Sequence, residues 1–194
     1  MSVLTFDEAA HVYRIDGTRV PSVTGVIAAA GLVDTQWYTP EARERGRYVH
    51  QAIELSVHSV LNKDCLDARL TPYLNGFELF VLQSGFKTAY CELRLASERL
   101  RYAGTLDLYG GMNGVSWLID VKSGVPAPAH DVQLAAYASL AREAGITVNK
   151  LGALYLSADG KYNLREVKQS ASAWEVFQAA LVVERWKTKN GGVK

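Results

Sequence analysis

Two aspartates and a lysine set the chemistry this chain can do. Asp107 closes the segment 104–107 (GTLD), and thirteen residues later Asp120 opens the triplet Asp120, Val121, Lys122. Both lie in stretches that read as strands. Residues 102–109 are apolar and aromatic with Gly110 and Gly111 as turn signals behind them, and 115–122 alternates Val, Trp, Ile and Val against Ser, Leu, Asp and Lys. Asp120 and Lys122 are two apart and share one face, while Val121 points the other way into a core. The Gly-Met-Asn-Gly connection at 111–114 is short enough to make the strands antiparallel neighbours, which brings Asp107 close to Asp120. Two carboxylates and an ammonium on one sheet face form a hard-cation site with a lysine beside it. That is the apparatus for metal-assisted attack on a phosphodiester. Taken alone, the Asp-x-Lys triplet is equally a solvated strand face or a surface ion pair.

The elements on either side must position these groups. Upstream, Thr39 is a good N-cap, Pro40 fits the first helical position and Glu41 suits the first turn, so a helix starts there. On it His50 and Glu54 are four apart and share a face, and Gly46, four before His50, lets a backbone or a substrate approach. His50 is either a site residue or a satisfied core histidine. Downstream, Pro126 and Pro128 end the strand region, and 131–142 reads as a helix with Gln133 and Tyr137 on one face. That pair is either part of a site or the polar edge of an amphipathic helix.

In this order the residues resemble a family. Gly46/His50, Glu92, Gly104/Asp107, Asp120/Lys122 and Gln133/Tyr137 follow the pattern of the RecB-type branch of the PD-(D/E)XK nuclease superfamily. Segment 20–27 (VPSVTGVI) resembles an element near the start of mitochondrial genome maintenance exonucleases and related phage nucleases. The resemblance spans about 11–140; Leu106, where the superfamily's name has Pro, is a minor departure common in this branch. It implies a restriction-endonuclease-like core with a mixed central sheet flanked by helices. Asp107 and Asp120 would bind Mg2+ or Mn2+ through oxygen, with the Val121 carbonyl as a third ligand. His50 would add a nitrogen, shifting preference toward Mn2+. Lys122 would orient the attacking water or stabilise charge on the phosphate oxygens. Glu92, ahead of Glu54, would hold a second cation or a water. Gln133 and Tyr137 would face the scissile region, Tyr137 stacking or bonding to phosphate, and Tyr48, Tyr102 and Tyr137 are the aromatics expected to stack on unpaired bases. Ser22 and Thr24 sit at a helix N-terminus suited either to a phosphate or to plain capping. Arg47, with Arg43 and Arg45 on the His50 helix, is a candidate DNA contact.

Composition agrees and excludes some classes. A chain of 194 residues with 48% hydrophobic residues is expected to be one domain, with 1–85 as a β-meander plus helices and 86–194 as the catalytic sheet and helices. There is no apolar run long enough to span a membrane and no secretory pattern at the start, so a cytoplasmic location is expected. The two cysteines, Cys65 and Cys91, fit a reducing compartment and are too few for an iron–sulfur cluster. The net charge of +1 gives no broad basic footprint, which leaves the arginines around 43–47 and the basic tail 185–194.

The expected elements are strands at 4–6, 11–15, 18–20, 88–95, 102–109, 115–122, 151–157 and 162–167. Helices are expected at 22–30, from 39 to about 61, at 65–83 with Pro72 near the middle, at 129–144 and at 173–187. This is an α/β layer arrangement. The function expected is a metal-dependent DNA exonuclease acting on single-stranded ends in phage-type recombination, repair or replication, with an annealing protein or helicase as a candidate loader. The alternatives are a structure-specific or restriction-type endonuclease, and a non-catalytic nucleic-acid-binding module of the same fold.

Overall fold

In the computed structural model, residues 2–33, 39–168 and 170–191 are described. The order is β1 (Leu4–Asp7), β2 (Val12–Ile15), β3 (Thr18–Val20), α1 (Val23–Ala29), α2 (Pro40–Val57), α3 (Thr71–Ser84), β4 (Lys87–Ser97), β5 (Tyr102–Met112), β6 (Val115–Lys122), α4 (Ala129–Glu143), β7 (Lys150–Leu156), β8 (Tyr162–Val167) and α5 (Ala171–Lys189). β1–β3 form a small antiparallel meander. The main sheet has five strands in the order β4-β5-β6-β7-β8, antiparallel except for the β6–β7 pair. A parallel pair needs a crossover, and α4 supplies it.

The period-two pattern of the strands decides which helices cover which face. Leu118, Leu151 and Ala153 point to one side and bury against α1, α4 and α5 through Val23, Leu134, Leu140 and Phe177. Trp117, Ile119, Val121 and Leu154 point to the other and bury against α2 and α3 through Val49, Ile53, Phe77 and Phe80. A mixed α/β sheet flanked by helices is therefore what the alternation dictates.

Three local expectations change. The β5–β6 turn is Asn113-Gly114 alone, both in the left-handed region (φ 53° and 74°), which is the two-residue hairpin geometry that matches strand twist. Gly110 and Gly111 belong to β5. A Cβ at Gly110 would lie 2.2 Å from the Lys87 carbonyl oxygen, so the glycine marks a close strand approach. The helix expected at 65–83 is a 3-10 turn at Lys63–Cys65 followed by α3, with Pro72 in its first turn. A ring that cannot donate to the preceding turn is accommodated there and not in mid-helix. Finally, α2 ends at Val57 and not near 61. The N–H groups of Ser59 and Val60 return to the Ser56 and Leu55 carbonyls (both 3.0 Å), with Ser59 at φ 56°. This is a Schellman closure without its usual glycine.

Candidate active site at the fork of β5 and β6

The site begins where a ladder stops. β5 and β6 pair in register from Met112↔Val115 to Leu108↔Ile119. One step further the Val121 N–H donates to Asp107 Oδ2 at 2.7 Å, so a side chain replaces the backbone partner. On the other flank, Glu92 of β4 lies between the pairs Cys91↔Leu108 and Leu93↔Leu106, with φ 50° inside a strand. From above, α2 brings in His50. Its Nδ1 is 3.3 Å from Glu92 Oε1 and 3.6 Å from Asp107 Oδ1, and its Nε2 is 3.1 Å from the Val121 carbonyl oxygen. One ligand atom from each of His50, Glu92 and Asp107 falls within 4.8 Å of the others.

Beside this cluster lies a second network. Asp120 is 1% exposed; its Oδ2 is 2.7 Å from Lys122 Nζ and its Oδ1 accepts from Gln133 Nε2 at 2.9 Å. Lys122 Nζ also donates to Gln133 Oε1 at 3.1 Å, and Gln133 Nε2 donates to the Tyr137 hydroxyl at 3.1 Å. Gln133 is thereby fixed in one amide orientation and holds the lysine and the aspartate in place.

No protein-family model matches the chain, and no curated protein matches it. Solved structures do. A Eubacterium rectale protein described as a candidate exonuclease superposes with a TM-score of 0.58 over 90% of this chain and 83% of its own, at 11% identity. The chain shares the fold of that protein, a mixed sheet flanked by helices of the PD-(D/E)XK type. The alkaline exonuclease of Laribacter hongkongensis aligns more loosely, with a TM-score of 0.47 at 10% identity over 88% of this chain and 92% of that one.

Within this PD-(D/E)XK fold the expected residues separate into groups. His50, Glu92 and Asp107 converge at the Nδ1 side of the imidazole, while the Val121 carbonyl, expected as a third ligand, faces Nε2 on the other side of the ring. Asp120 stands with Lys122 and Gln133 instead of in the His50 cluster, and Glu54 is not part of the cluster either. Tyr137 is 4% exposed and packs on Gly104, where a Cβ would lie 2.7 Å from its ring; Tyr102 is fully buried and its hydroxyl donates to the Ala136 carbonyl. Neither ring can stack on a base, which corrects that expectation. Both are core aromatics drawn in by burial. Ser22 Oγ accepts from the Gly25 N–H at 3.0 Å, which is the plain capping arrangement, and Thr24 is exposed next to it. Arg47 is exposed, with its guanidinium 4.7 Å from the centre of the Tyr48 ring. Of the basic tail, residues 192–194 lie outside the described residues. The sequence reading missed His130. It is buried, with Nδ1 2.9 Å from the Tyr155 hydroxyl and accepting from the Ala127 N–H, so it ties down the loop after Lys122. Burial holds its pKa down, at about 4. A histidine in the first turn of α4 was the available signal.

The electrostatics of the site share one sign. Burial works against charge on His50, but the negative charge of Asp107 and the hydrogen bond and charge of Glu92 outweigh it and raise its pKa to about 9. Burial raises Asp107 and lifts Asp120 to about 6, the latter against the pull of Lys122. All three groups therefore bind protons more tightly in the folded protein than in the unfolded chain. Stability from such groups is complete below their unfolded pKa values and is lost as pH rises through the folded ones. In EDTA, the melting temperature is expected to fall between about pH 4 and 6 as Asp120 ionises, and again between about pH 6.5 and 9 as His50 loses its proton. Thermal melts across this range check it. A curve that rises toward pH 9 in EDTA contradicts the assignment.

Glu92 supplies a separate test. A non-glycine residue in the left-handed region costs about 1–2 kcal/mol. Glycine in a strand normally costs roughly 0.5–1 kcal/mol relative to alanine. Here the order is expected to invert, with Glu92→Gly more stable than Glu92→Ala by about 1 kcal/mol, or about 2–4 °C in melting temperature. Both variants lose the same carboxylate, so a melt of the pair isolates the backbone. Alanine equal to or above glycine would remove strain from the account of this site.

Proposed function

We propose that the protein is a divalent-metal-dependent deoxyribonuclease that hydrolyses phosphodiester bonds from a single-stranded DNA end. The observation that carries the reading is the convergence of His50, Glu92 and Asp107 at the fork, beside Val121 and directly before Lys122. The donor set fits a hard cation: two carboxylates and one imidazole nitrogen suit Mg2+ or Mn2+. The site already collects positive charge, since its carboxylates keep His50 protonated well above the usual histidine range. His50, through Nδ1, with Glu92 and Asp107 would hold the ion. Bound there, it would polarise the phosphate and lower the pKa of a water. Lys122, fixed by Asp120 and Gln133, presents an ammonium to the phosphate oxygens as their charge grows. Asp120 keeps that lysine charged and in place.

Two features support an end-directed substrate. A net charge of +1 offers little of the counterion release that tight binding of long duplex exploits. In addition, α2 lies across the site, with His50 on Val121 and Gly46 facing Ser123, so a strand reaches the fork beneath a helix. Tyr48, exposed beside Arg47, is left as the aromatic able to take an unpaired base, worth roughly 1–3 kcal/mol. With Mn2+, linear single-stranded DNA is expected to be degraded while the same sequence as a closed circle stays intact. Equal loss of the circle moves the reading to the endonuclease class.

A further inference from the structure

Arg45 sits on α2 five residues before His50, on the side that meets the loop after Lys122. Its Nη2 reaches the Ser123 carbonyl oxygen only at 3.4 Å, and its guanidinium carbon lies 5.8 Å from the centre of the Tyr73 ring. Its Nε is buried with no hydrogen-bond acceptor among the described residues. A buried donor left unmade is costly, more so on a cation, so such a group is retained where an acceptor arrives. Arg165 is a useful contrast. Its Nε is also unpaired, but Asp131 takes its guanidinium at 2.5 Å. Among the described residues Arg45 has a long bond to a neutral carbonyl and the Tyr73 ring, and no carboxylate. Next to it, Gly46 leaves the space toward Ser123 open: a Cβ there would first meet Ser123 Oγ at 3.8 Å.

From this we infer that Arg45 is a substrate-contact residue that binds a non-bridging phosphate oxygen of the DNA strand, at the phosphodiester next to the one facing Lys122. The inference rests on the nuclease reading for its substrate. A planar guanidinium with an idle N–H beside a lysine-bearing site matches the oxygens of a phosphate, which it can take through two parallel bonds. The position follows from the chain: Arg45 touches Ser123, the residue after Lys122, so it reads the strand one step along from the reacting centre. Arg47, exposed and lying over Tyr48, is not placed to do this.

The test is binding of a short fluorescein-labelled single-stranded oligonucleotide in EDTA, followed by anisotropy from 50 to 200 mM NaCl, with melting temperatures alongside. Arg45→Ala is expected to weaken binding about tenfold. It is also expected to flatten the slope of log affinity against log salt by about 0.7, the release expected for one phosphate contact on a single strand. Arg45→Lys is expected to keep the slope and lose affinity severalfold, because an ammonium cannot replace the fork. Arg69→Ala, which removes an exposed partner of Asp67, is the control and is expected to change neither quantity. An unchanged slope in a folded Arg45→Ala protein overturns the proposal. If the alanine variant does not fold, Arg45→Lys decides, and wild-type affinity there overturns it. Wild-type protein that binds but cuts no DNA with Mg2+ or Mn2+ refutes the nuclease reading while leaving Arg45 to the slope. Wild-type protein that binds no oligonucleotide overturns both.

Discussion

Asp107→Asn is expected to leave the protein folded and to lower DNA cleavage by on the order of 10³-fold or more. The substitution removes charge and little else. The amide oxygen can still accept from the Val121 N–H, so the bond that closes the β5–β6 fork survives. What disappears is one of the two carboxylates facing His50, and with it the oxygen donor that is both buried and central to the cluster. Two further readouts separate a lost ligand from general damage. In EDTA the variant is expected to lose much of the pH dependence of its melting temperature between about pH 6.5 and 9, because Asp107 is the main group that raises His50. Stabilisation by added Mn2+ is expected to shrink for the same variant. Cleavage within tenfold of wild type, measured on linear single-stranded DNA, would remove Asp107 from the site.

Much of this arrangement was written in local rules, and the parts that were not have specific causes. β6 and β8 begin and end where alternation and turn residues place them, because half-buried strands repeat every two residues. α1 and α4 stop at Gly31 and Gly145, both at positive φ, where glycine does the usual work at a helix end. The end of α2 was not legible, since Ser59 adopts the same conformation without glycine to announce it. The candidate site divides in the same way. Asp120 and Lys122 are two apart on one strand, and His50 and Gly46 four apart on one helix, so periodicity sufficed to group them. Which carboxylate meets His50 depends on where β6 parts from β5 while β4 stays paired with it, and no spacing within a segment encodes that. The left-handed Glu92 lies in a stretch of unbroken β4–β5 register and had no sequence signal. Tyr137 was misread because spacing put it beside Gln133, which it does touch, while Gly104 opens the space that buries its ring.

Lys122→Met is expected to reduce cleavage by on the order of 10²-fold or more while leaving Mn2+ affinity and oligonucleotide binding near wild type. The side chain is one-fifth exposed, and methionine fills most of the same path without the charge. In the proposed mechanism the ammonium matters more as charge develops on the phosphate than in the bound ground state, so its loss belongs in kcat and not in KM. The substitution has a second consequence that must be kept apart from the first. Asp120, 1% exposed and paired with Lys122, loses its counter-ion, and breaking a buried pair from one side costs about 3–5 kcal/mol. Its pKa, already about 6, is expected to climb further, because Lys122 is the main group holding it down. Pairing the change with Asp120→Asn removes the stranded charge, and the double variant is expected to regain most of the lost melting temperature without regaining the rate. If stability and rate return together in the double variant, Lys122 is a structural partner of Asp120 and not a group that meets the phosphate.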